Sequence, residues 1–225
     1  MTKVSLRGLA QRKLRAFVTA LAVLLGVAFI AGSYVLTDTI NRSFDDIFDV
    51  AYAGTDVAIS SSTTGQGDAP EAPAFPARYL DRVRQVPGVE KAAGGIFSTV
   101  RFVDAKGDQL SSSFAPEFVS STAPKPFETL TYVEGHPPVT ADEASIDQST
   151  ADREGFKIGD TLRIAGEAGG KSYRIVGIQR LGDTSSGGAG TAQLTPPEAQ
   201  RLTGKEGEFD GISVQAAPGV SPEEL

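Results

Sequence analysis

The chain has 225 residues, with 21 basic and 28 acidic side chains, one histidine and no cysteine. This composition excludes a zinc site of the usual Cys/His kind and a Cys/His nucleophilic pair. The formal net charge of −7 also argues against nucleic acid as a partner, because a protein needs a basic face to hold phosphates.

Residues 1–15 form a basic segment that contains no acidic residue. Leucines lie between its charged positions, which favours a short amphipathic helix on the inner surface of a membrane; a frayed basic tail is the alternative. The charged residues of the segment are Lys3, Arg7, Arg12, Lys13 and Arg15.

Residues 16–37 form an uncharged run that predicts a transmembrane helix, with Ala16 to Leu36 as its apolar part. A helix needs roughly 20 apolar residues to cross a bilayer. The basic segment before the run places the N-terminus in the cytoplasm, and the aspartates after it lie outside. A cleavable signal sequence is the competing interpretation. The apolar region of a signal sequence is shorter than this run, and its cleavage site follows closely. Here an Ala-x-Ala cleavage pattern, Ala51-Tyr-Ala53, lies well beyond Leu36. We therefore expect a retained anchor.

Small residues within this span predict surfaces where a second helix could pack closely. They occur as two pairs with the spacing of small residues at membrane helix interfaces, Ala22 with Gly26 and Ala28 with Gly32.

Residues 38–55 continue the helical pattern beyond the membrane. Ile40, Phe44, Ile47 and Phe48 recur at helical spacing, and no proline interrupts the chain between Ala16 and Val50. The pattern predicts a stalk helix that would transmit a tilt without a hinge.

Residues 56–225 predict an acidic α+β domain. The part of the chain after the span contains 16 basic and 28 acidic residues, which gives it a formal charge of −12. Serine, glycine and proline over 60–76 predict a flexible loop, and Tyr79 to Val86 predict a helix that ends at Pro87-Gly88. Val89 to Val103 read as one strand, with a turn at 104–108.

The later part of the chain alternates short strands with two helices. Thr195 and Glu198 have the spacing of a capping box, so we expect a helix from there to about Thr203. The sequence thus predicts a mixed α/β domain with a small β-rich subdomain at about 130–190. The other predicted elements are strands at Glu143–Asp147, Thr161–Ile164, Tyr173–Gln179 and Ile212–Ala216, and a helix at Ser149–Glu154 closed by Gly155.

Ser221-Pro-Glu-Glu224 repeats the chemistry of a helix start, and the chain ends one residue later. We therefore expect the natural protein to continue.

No group of residues predicts catalysis, a cofactor or a metal ion. His136 lies in a turn-like Gly-His-Pro-Pro sequence, and the glycine-rich stretch 182–190 lacks the lysine of a phosphate-binding loop. Adjacent carboxylates such as Asp45 and Asp46 face different directions on a helix. We expect a protein that is not an enzyme.

Ordered motifs along the chain resemble MacB/FtsX-type ABC transporter permeases. The N-terminal run Ser5 to Gly26, with Arg-Lys-Leu-Arg before the span, resembles the start of such a permease. Six positions match the extracytoplasmic core domain of the family: Gly135, Glu143, Gly159, Asp160, Val176 and Gly177. They belong to the motif segments 134–138, 142–146, 155–164 and 173–178; later matches lie at 190–195, 199–202 and 212–216.

The resemblance implies a permease subunit of the plasma or inner membrane, with a cytoplasmic N-terminus and an extracytoplasmic main domain. ATP would bind to a separate ABC ATPase subunit, whose hydrolysis would move the exterior domain by mechanotransmission. The other implied partners are a second permease copy or paralogue, membrane lipid and an extracytoplasmic protein. Two alternatives remain: a single-pass binding or sensory protein, and a membrane-tethered hydrolase.

Overall fold

A single long helix, α1 (Lys13–Ala51), opens the computed structural model, which describes residues 13–61, 73–104, 109–110, 116–182 and 189–225. Within α1, Arg15–Thr39 has a mean hydropathy of 2.3 and none of its apolar window is buried in the protein. The hydroxyls of Thr19 and Thr39 donate to the carbonyls of Arg15 and Val35, four residues earlier, so they need no water. By length and composition this helix can cross a membrane.

The chain forms two compact units, Met1–Phe48 and Asp49–Leu225. The described part of the second unit contains twelve strands, three short α helices and a final 3₁₀ turn at Pro222–Glu224. The helices are α2 (Arg78–Val83), α3 (Gln148–Glu154) and α4 (Pro196–Leu202). The strands are β1 (Val57–Ser60), β2 (Phe75–Pro76), β3 (Val89–Gly95), β4 (Phe97–Val103), β5 (Glu117–Ser121), β6 (Leu130–Gly135), β7 (Glu143–Asp147), β8 (Thr161–Gly166), β9 (Gly169–Leu181), β10 (Gly190–Leu194), β11 (Glu208–Phe209) and β12 (Gly211–Ala216).

Six strands close a barrel in the order β9-β7-β10-β5-β4-β8 and back to β9. The pairs β7–β9 and β5–β10 are parallel, and the other pairs are antiparallel. β9, with 13 residues, pairs with β7 and β8 within the ring and with β6 outside it. The barrel interior is filled by fully buried apolar side chains, including Val119, Ile146, Leu162, Tyr173, Ile175 and Leu194. Burying them is the main force that closes the ring.

A three-stranded antiparallel sheet, in the order β1-β12-β3, accompanies the barrel. Leu80 of α2 packs on one face of this sheet against Ala92, Ile212 and Val214. β2 and β11 pair as a separate short ribbon. The predicted α+β class is therefore confirmed.

Several predicted elements have the expected bounds. The strand Glu143–Asp147 is observed as β7, and α3 begins after Asp147, whose carboxylate accepts from the Thr150 N–H at 2.9 Å. α3 ends at Gly155, which has a φ of 76°. The barrel uses β7, β8, β9 and β10 together with β4 and β5, which precede residue 130, while β6 pairs with β9 outside the ring.

The single strand predicted over Val89–Val103 is wrong. The chain divides at Ile96: β3 joins the three-stranded sheet and β4 joins the barrel. The N–H of Ile96 donates to the hydroxyl of Ser121 at 3.1 Å, which replaces a ladder hydrogen bond at the break. The pattern of apolar residues continues across this break, so periodicity could not reveal it.

Other predictions lie wholly or partly outside the described residues. These are most of the basic segment 1–15, most of the loop 60–76, most of the turn at 104–108 and most of the glycine-rich stretch 182–190. At the end of the loop, Phe75–Pro76 is a strand that pairs with β11.

Candidate functional site around strand β9

The small residues of the span lie on the surface of α1. Ala22, Gly26, Ala28 and Gly32 are exposed, and apart from the neighbouring backbone of α1 itself no described atom lies within 4 Å of a Cβ placed on either glycine. Both small pairs are therefore open to contact from another helix. Ile40, Phe44, Ile47 and Phe48 lie in the same helix, but their side chains are outside the described part.

Two glycines of the family motifs allow β6 to approach β9 closely. A Cβ on Gly135, whose φ is 72°, would lie 2.0 Å from the carbonyl oxygen of Val176. A Cβ on Gly177 would lie 2.4 Å from the carbonyl oxygen of His136. Any side chain at these positions would separate the strands, so both glycines are required by close backbone contact.

A tight turn packs against the middle of the same strand. The Gly159 N–H donates to the Ile175 carbonyl, and the Ile175 N–H donates to the Asp160 carbonyl, both at 2.8 Å. The carboxylate of Asp160 accepts from the Lys157 N–H at 2.8 Å, which closes the turn. Gly159 and Asp160 thus position the start of β8 against β9.

Glu143 holds the loop between β6 and β7. Its Oε2 accepts from the N–H groups of Val139 and Thr140 at 3.0 and 3.1 Å, and its Oε1 accepts from Arg174 Nη2 at 3.1 Å. The Val139 N–H, aided by Thr140 and Arg174, lowers the pKa of Glu143 below its usual value, although burial acts in the opposite direction. The charged carboxylate therefore acts as a clamp on the loop.

A second ionic cluster lies beside this clamp and centres on Glu198 of α4. Glu198 Oε1 accepts from the Tyr173 hydroxyl at 2.7 Å, from Arg201 Nη2 at 2.6 Å and from Lys171 Nζ at 3.2 Å. Arg201 Nε also donates to Glu198 Oε2 at 3.0 Å. Burial raises the pKa of Glu198, but the hydrogen bonds from Arg201, Tyr173 and Lys171 outweigh it and lower that pKa to about 2.

The predicted capping box at Thr195 and Glu198 is wrong. Thr195 is the N-cap residue of α4, but its side chain makes no capping hydrogen bond. Glu198 instead turns toward the barrel, because three donors on Lys171, Tyr173 and Arg201 offer it stronger partners than a backbone N–H. Sequence reasoning missed this cluster; the spacing of Glu198 and Arg201 by one helical turn was the available signal.

The loop between β6 and β7 and the Glu198 cluster border an open cleft of about 650 Å³. Its wall is formed by Val139, Ala141, Thr195, Pro197, Glu198, Gln200, Arg201, Glu206 and Gly207. The wall is mainly apolar, while one ion pair and the exposed Glu206 supply its charge.

The described residues offer no group of three or more histidine or acidic side chains with the geometry of a metal site. His136 is exposed, with its Nδ1 2.8 Å from the carbonyl oxygen of Pro137. In the structure the six motif residues lie on or beside β9, and their contacts are mainly with backbone groups.

The family model described as the MacB-like periplasmic core domain matches residues 16–225. No curated protein matches the sequence. The periplasmic region of MacB from Actinobacillus actinomycetemcomitans has the same fold: its TM-score is 0.52 at 11% identity, over 76% of this chain and 78% of that one. The extracellular domain of the noncanonic ABC-type transporter YknZ from Gram-positive bacteria aligns with a TM-score of 0.46 at 10% identity, over 72% and 83% of the two chains.

Proposed function

The chain belongs to the family of MacB-like periplasmic core domains, and from this membership we propose that it is a permease subunit of an ABC transporter. In this proposal α1 anchors the chain in the plasma or inner membrane with the N-terminus in the cytoplasm, and the barrel unit lies outside. A separate ATPase subunit hydrolyses ATP, and the exterior unit moves in response. The chain itself contributes no catalytic group.

The observation that supports this most is the extent of the family match. It starts at Ala16, so it includes the apolar helix together with the exterior unit. The helix is also suited to mechanical coupling, because it runs without a break from Lys13 to Ala51 and contains no proline. The resemblance of the N-terminal run to permeases points the same way.

A cysteine-labelling experiment tests the proposed location. The 225 residues contain no cysteine, so each variant has a single reactive thiol within this chain. Ser5→Cys lies before the span, and Asp152→Cys lies at an exposed position of α3. In intact cells or spheroplasts, a membrane-impermeant maleimide should react with the second variant and not with the first. Reaction at both positions, or at Ser5→Cys alone, would contradict the orientation.

A spin label on Asp152→Cys tests the coupling in membranes that contain the full-length protein and its co-purifying ATPase. Trapping the ATPase with ATP and vanadate should change the distance distribution between the labels on two copies of the permease. Inserting Gly-Pro after Thr39 should abolish the change while the ATPase remains bound. Inserting Ala-Ala adds the same length and the same helical rotation but preserves the helix, so it isolates the effect of breaking it.

If vanadate trapping leaves the distances unchanged in the parent protein, the coupling role is wrong, and a single-pass binding or sensory protein becomes the better explanation. A response that survives the Gly-Pro insertion would contradict the role of α1 as the coupling element.

A further inference from the structure

The three-stranded sheet and the barrel lie on either side of an open cleft of about 310 Å³. Strands β1, β3 and β12 of the sheet form one wall, and the other wall contains Ser121 of β5 with Ala123 and Phe127 of the segment that follows. Two subdomains beside a cleft often close on each other about a hinge. The chain segments that cross from the sheet to the barrel decide whether this unit can bend.

The first crossing joins β3 to β4 at Ile96, and four of its backbone groups are hydrogen-bonded to other segments. The Ile96 N–H donates to the Ser121 hydroxyl at 3.1 Å, and the Ile96 carbonyl accepts from the Ser121 N–H at 3.0 Å. The Gly95 carbonyl accepts from the Asp210 N–H at 3.0 Å, and the Phe97 N–H donates to the Asp210 carboxylate at 2.9 Å. A hinge needs residues whose φ and ψ can change, and a change here would break these hydrogen bonds.

The second crossing runs from α4 through β11 to β12, and Asp210 lies between its two strands. Asp210 Oδ1 accepts from Lys205 Nζ at 2.7 Å, and its Oδ2 accepts from the Ser98 hydroxyl of β4 at 3.3 Å. Lys205 Nζ also donates to that hydroxyl at 2.5 Å. The side chains of Asp210 and Lys205 are each only 15% exposed, so water screens this ion pair less than a surface pair. Asp210 therefore ties the second crossing to the first.

An apolar contact reinforces the same place. Phe209, the neighbour of Asp210, packs against the core of the barrel and also against the core of the sheet. Its ring lies over β3, where a Cβ on Gly94 would be 2.4 Å from the ring carbons. Bending the joint would pull this ring away from one of the two cores and expose apolar surface.

The segment that leaves α1, residues 50–56, also touches both parts. The side chain of Val50 lies 3.3 Å from the position of a Cβ on Gly182, the residue after β9. The Asp56 N–H donates to the Val214 carbonyl of β12 at 2.8 Å, and the Asp56 carboxylate accepts from the Ala216 N–H at 2.8 Å. These contacts all lie within the second compact unit, Asp49–Leu225.

We propose that Asp210 and Lys205 lock the joint between the sheet and the barrel, so that the exterior unit moves as one rigid body and does not close on its cleft. Asp210 is a positioning residue in this proposal, because it holds the two crossings against each other. The lock itself does not depend on the proposed function. Its consequence, that motion delivered by α1 reaches the sheet and the barrel together, rests on that function.

A pair of spin labels within one copy tests the lock, with Glu90→Cys on β3 of the sheet and Asp152→Cys on α3 beside the barrel. Both positions are exposed, and the 225 residues contain no other thiol. The labelled full-length protein is diluted with unlabelled protein in membranes that contain its ATPase, so that only distances within one copy are measured. We expect one narrow distance distribution that is the same before and after trapping with ATP and vanadate.

Variants of the ion pair should loosen the joint. Asp210→Ala removes the shared acceptor of Phe97, Ser98 and Lys205, so the distribution should become at least about twofold broader. Lys205→Met leaves the backbone hydrogen bonds of Asp210 in place and should broaden it less. Asp81→Ala is the matched control, because it also removes an aspartate paired with a basic residue, but the Asp81–Arg84 pair lies within α2. Circular dichroism checks the folding of each variant, and Lys205→Met decides the result if Asp210→Ala does not fold.

Two outcomes would overturn the lock: a distance within one copy that changes on trapping, or a distribution that stays as narrow as the parent's in both ion-pair variants. Labels on two copies report the proposed function separately. If the distances between copies respond and the distance within a copy responds as well, the coupling role stands and the lock is wrong. If the distances between copies do not respond while Asp210→Ala still broadens the distribution within a copy, the lock stands and the coupling role is wrong.

Discussion

Two glutamates of the barrel unit are almost equally buried but have opposite surroundings. Glu198 of α4 is 5% exposed and accepts hydrogen bonds from three side chains. Glu117 of β5 is 2% exposed, and its Oε2 accepts from the Phe102 N–H at 2.6 Å. Its Oε1 has no hydrogen-bond partner among the described residues. The comparison shows that hydrogen-bond donors, and not burial alone, decide whether the pKa of a buried carboxyl is lowered or raised.

Glu117 owes its position to the end of a ladder. The pairing of β4 with β5 ends at Val100, which lies opposite Glu117. The next N–H of β4 on the side of β5 belongs to Phe102 and has no partner in β5. The carboxylate supplies the acceptor instead. Burial raises the pKa of Glu117, and the Phe102 hydrogen bond together with Arg153 and Arg101 only partly offsets this effect.

Replacing Glu198 should have the largest effect. Glu198→Ala leaves Arg201, Lys171 and the Tyr173 hydroxyl without their shared acceptor, and breaking a buried pair in this way costs about 3–5 kcal/mol. Because Arg201 and Lys171 are partly exposed to water, we expect a loss near the lower end, about 3 kcal/mol. Urea unfolding of the full chain in detergent, followed by fluorescence and circular dichroism, measures it.

The pH dependence of this loss provides the control. The folded pKa of Glu198, about 2, lies below the ordinary value of 4.5, so its contribution is present above about pH 4.5 and is lost as the pH falls toward 2. The stability difference between the parent and Glu198→Ala should shrink over that range. A difference that does not change with pH would show that the lost volume, and not the charge, determines the stability.

Glu117→Gln should act in the opposite direction and with smaller size. The amide oxygen still accepts from the Phe102 N–H, but no charge is buried, so we expect stabilisation by about 1 kcal/mol at pH 7. The folded pKa of Glu117 is raised, so the favourable contribution of its protonated form is complete below the unfolded value and is lost as the pH rises through the folded one. The advantage of the glutamine should therefore vanish in acid.

The same unfolding assay, run at neutral and acidic pH, checks this prediction. Glu117→Ala is the matched control: it should destabilise at both pH values, because the Phe102 N–H loses its acceptor. If Glu117→Gln destabilises the protein at pH 7, the carboxylate has a stabilising partner, and the contrast with Glu198 is lost.

Much of the fold could be predicted from local patterns. The apolar run, the strand Glu143–Asp147 and the helix between Asp147 and Gly155 depend on neighbouring residues, so sequence alone predicted them. The break at Ile96 depends on Ser121, 25 residues away, and no periodicity contains that information.

The candidate site was predicted only in part, for the same reason. Motif resemblance identified Gly135, Glu143 and Gly177, and the structure places them together around β9. It gave no indication of Lys171 or Arg201, because their role appears only when β9 and α4 meet around Glu198. The spacing of Thr195 and Glu198 predicts a helix cap, a local role that the distant partners of Glu198 override.

Asp142→Asn should have the smallest effect and tests how far the Glu198 cluster extends toward water. Lys171 Nζ contacts the Asp142 carboxylate at 2.9 Å, but the Asp142 side chain is 85% exposed. An exposed pair contributes roughly 0–1 kcal/mol, so we expect a loss of about 0.3 kcal/mol that fades at high salt. Lys171 retains Glu198 and the Ala141 carbonyl as partners, so the cluster should survive.

Unfolding the Asp142→Asn variant at low and at high salt, in parallel with Glu198→Ala, measures this loss. A loss comparable to that of Glu198→Ala would mean that Asp142 holds Lys171 in place for the whole cluster, and the strength of the ion pairs would then not follow their burial.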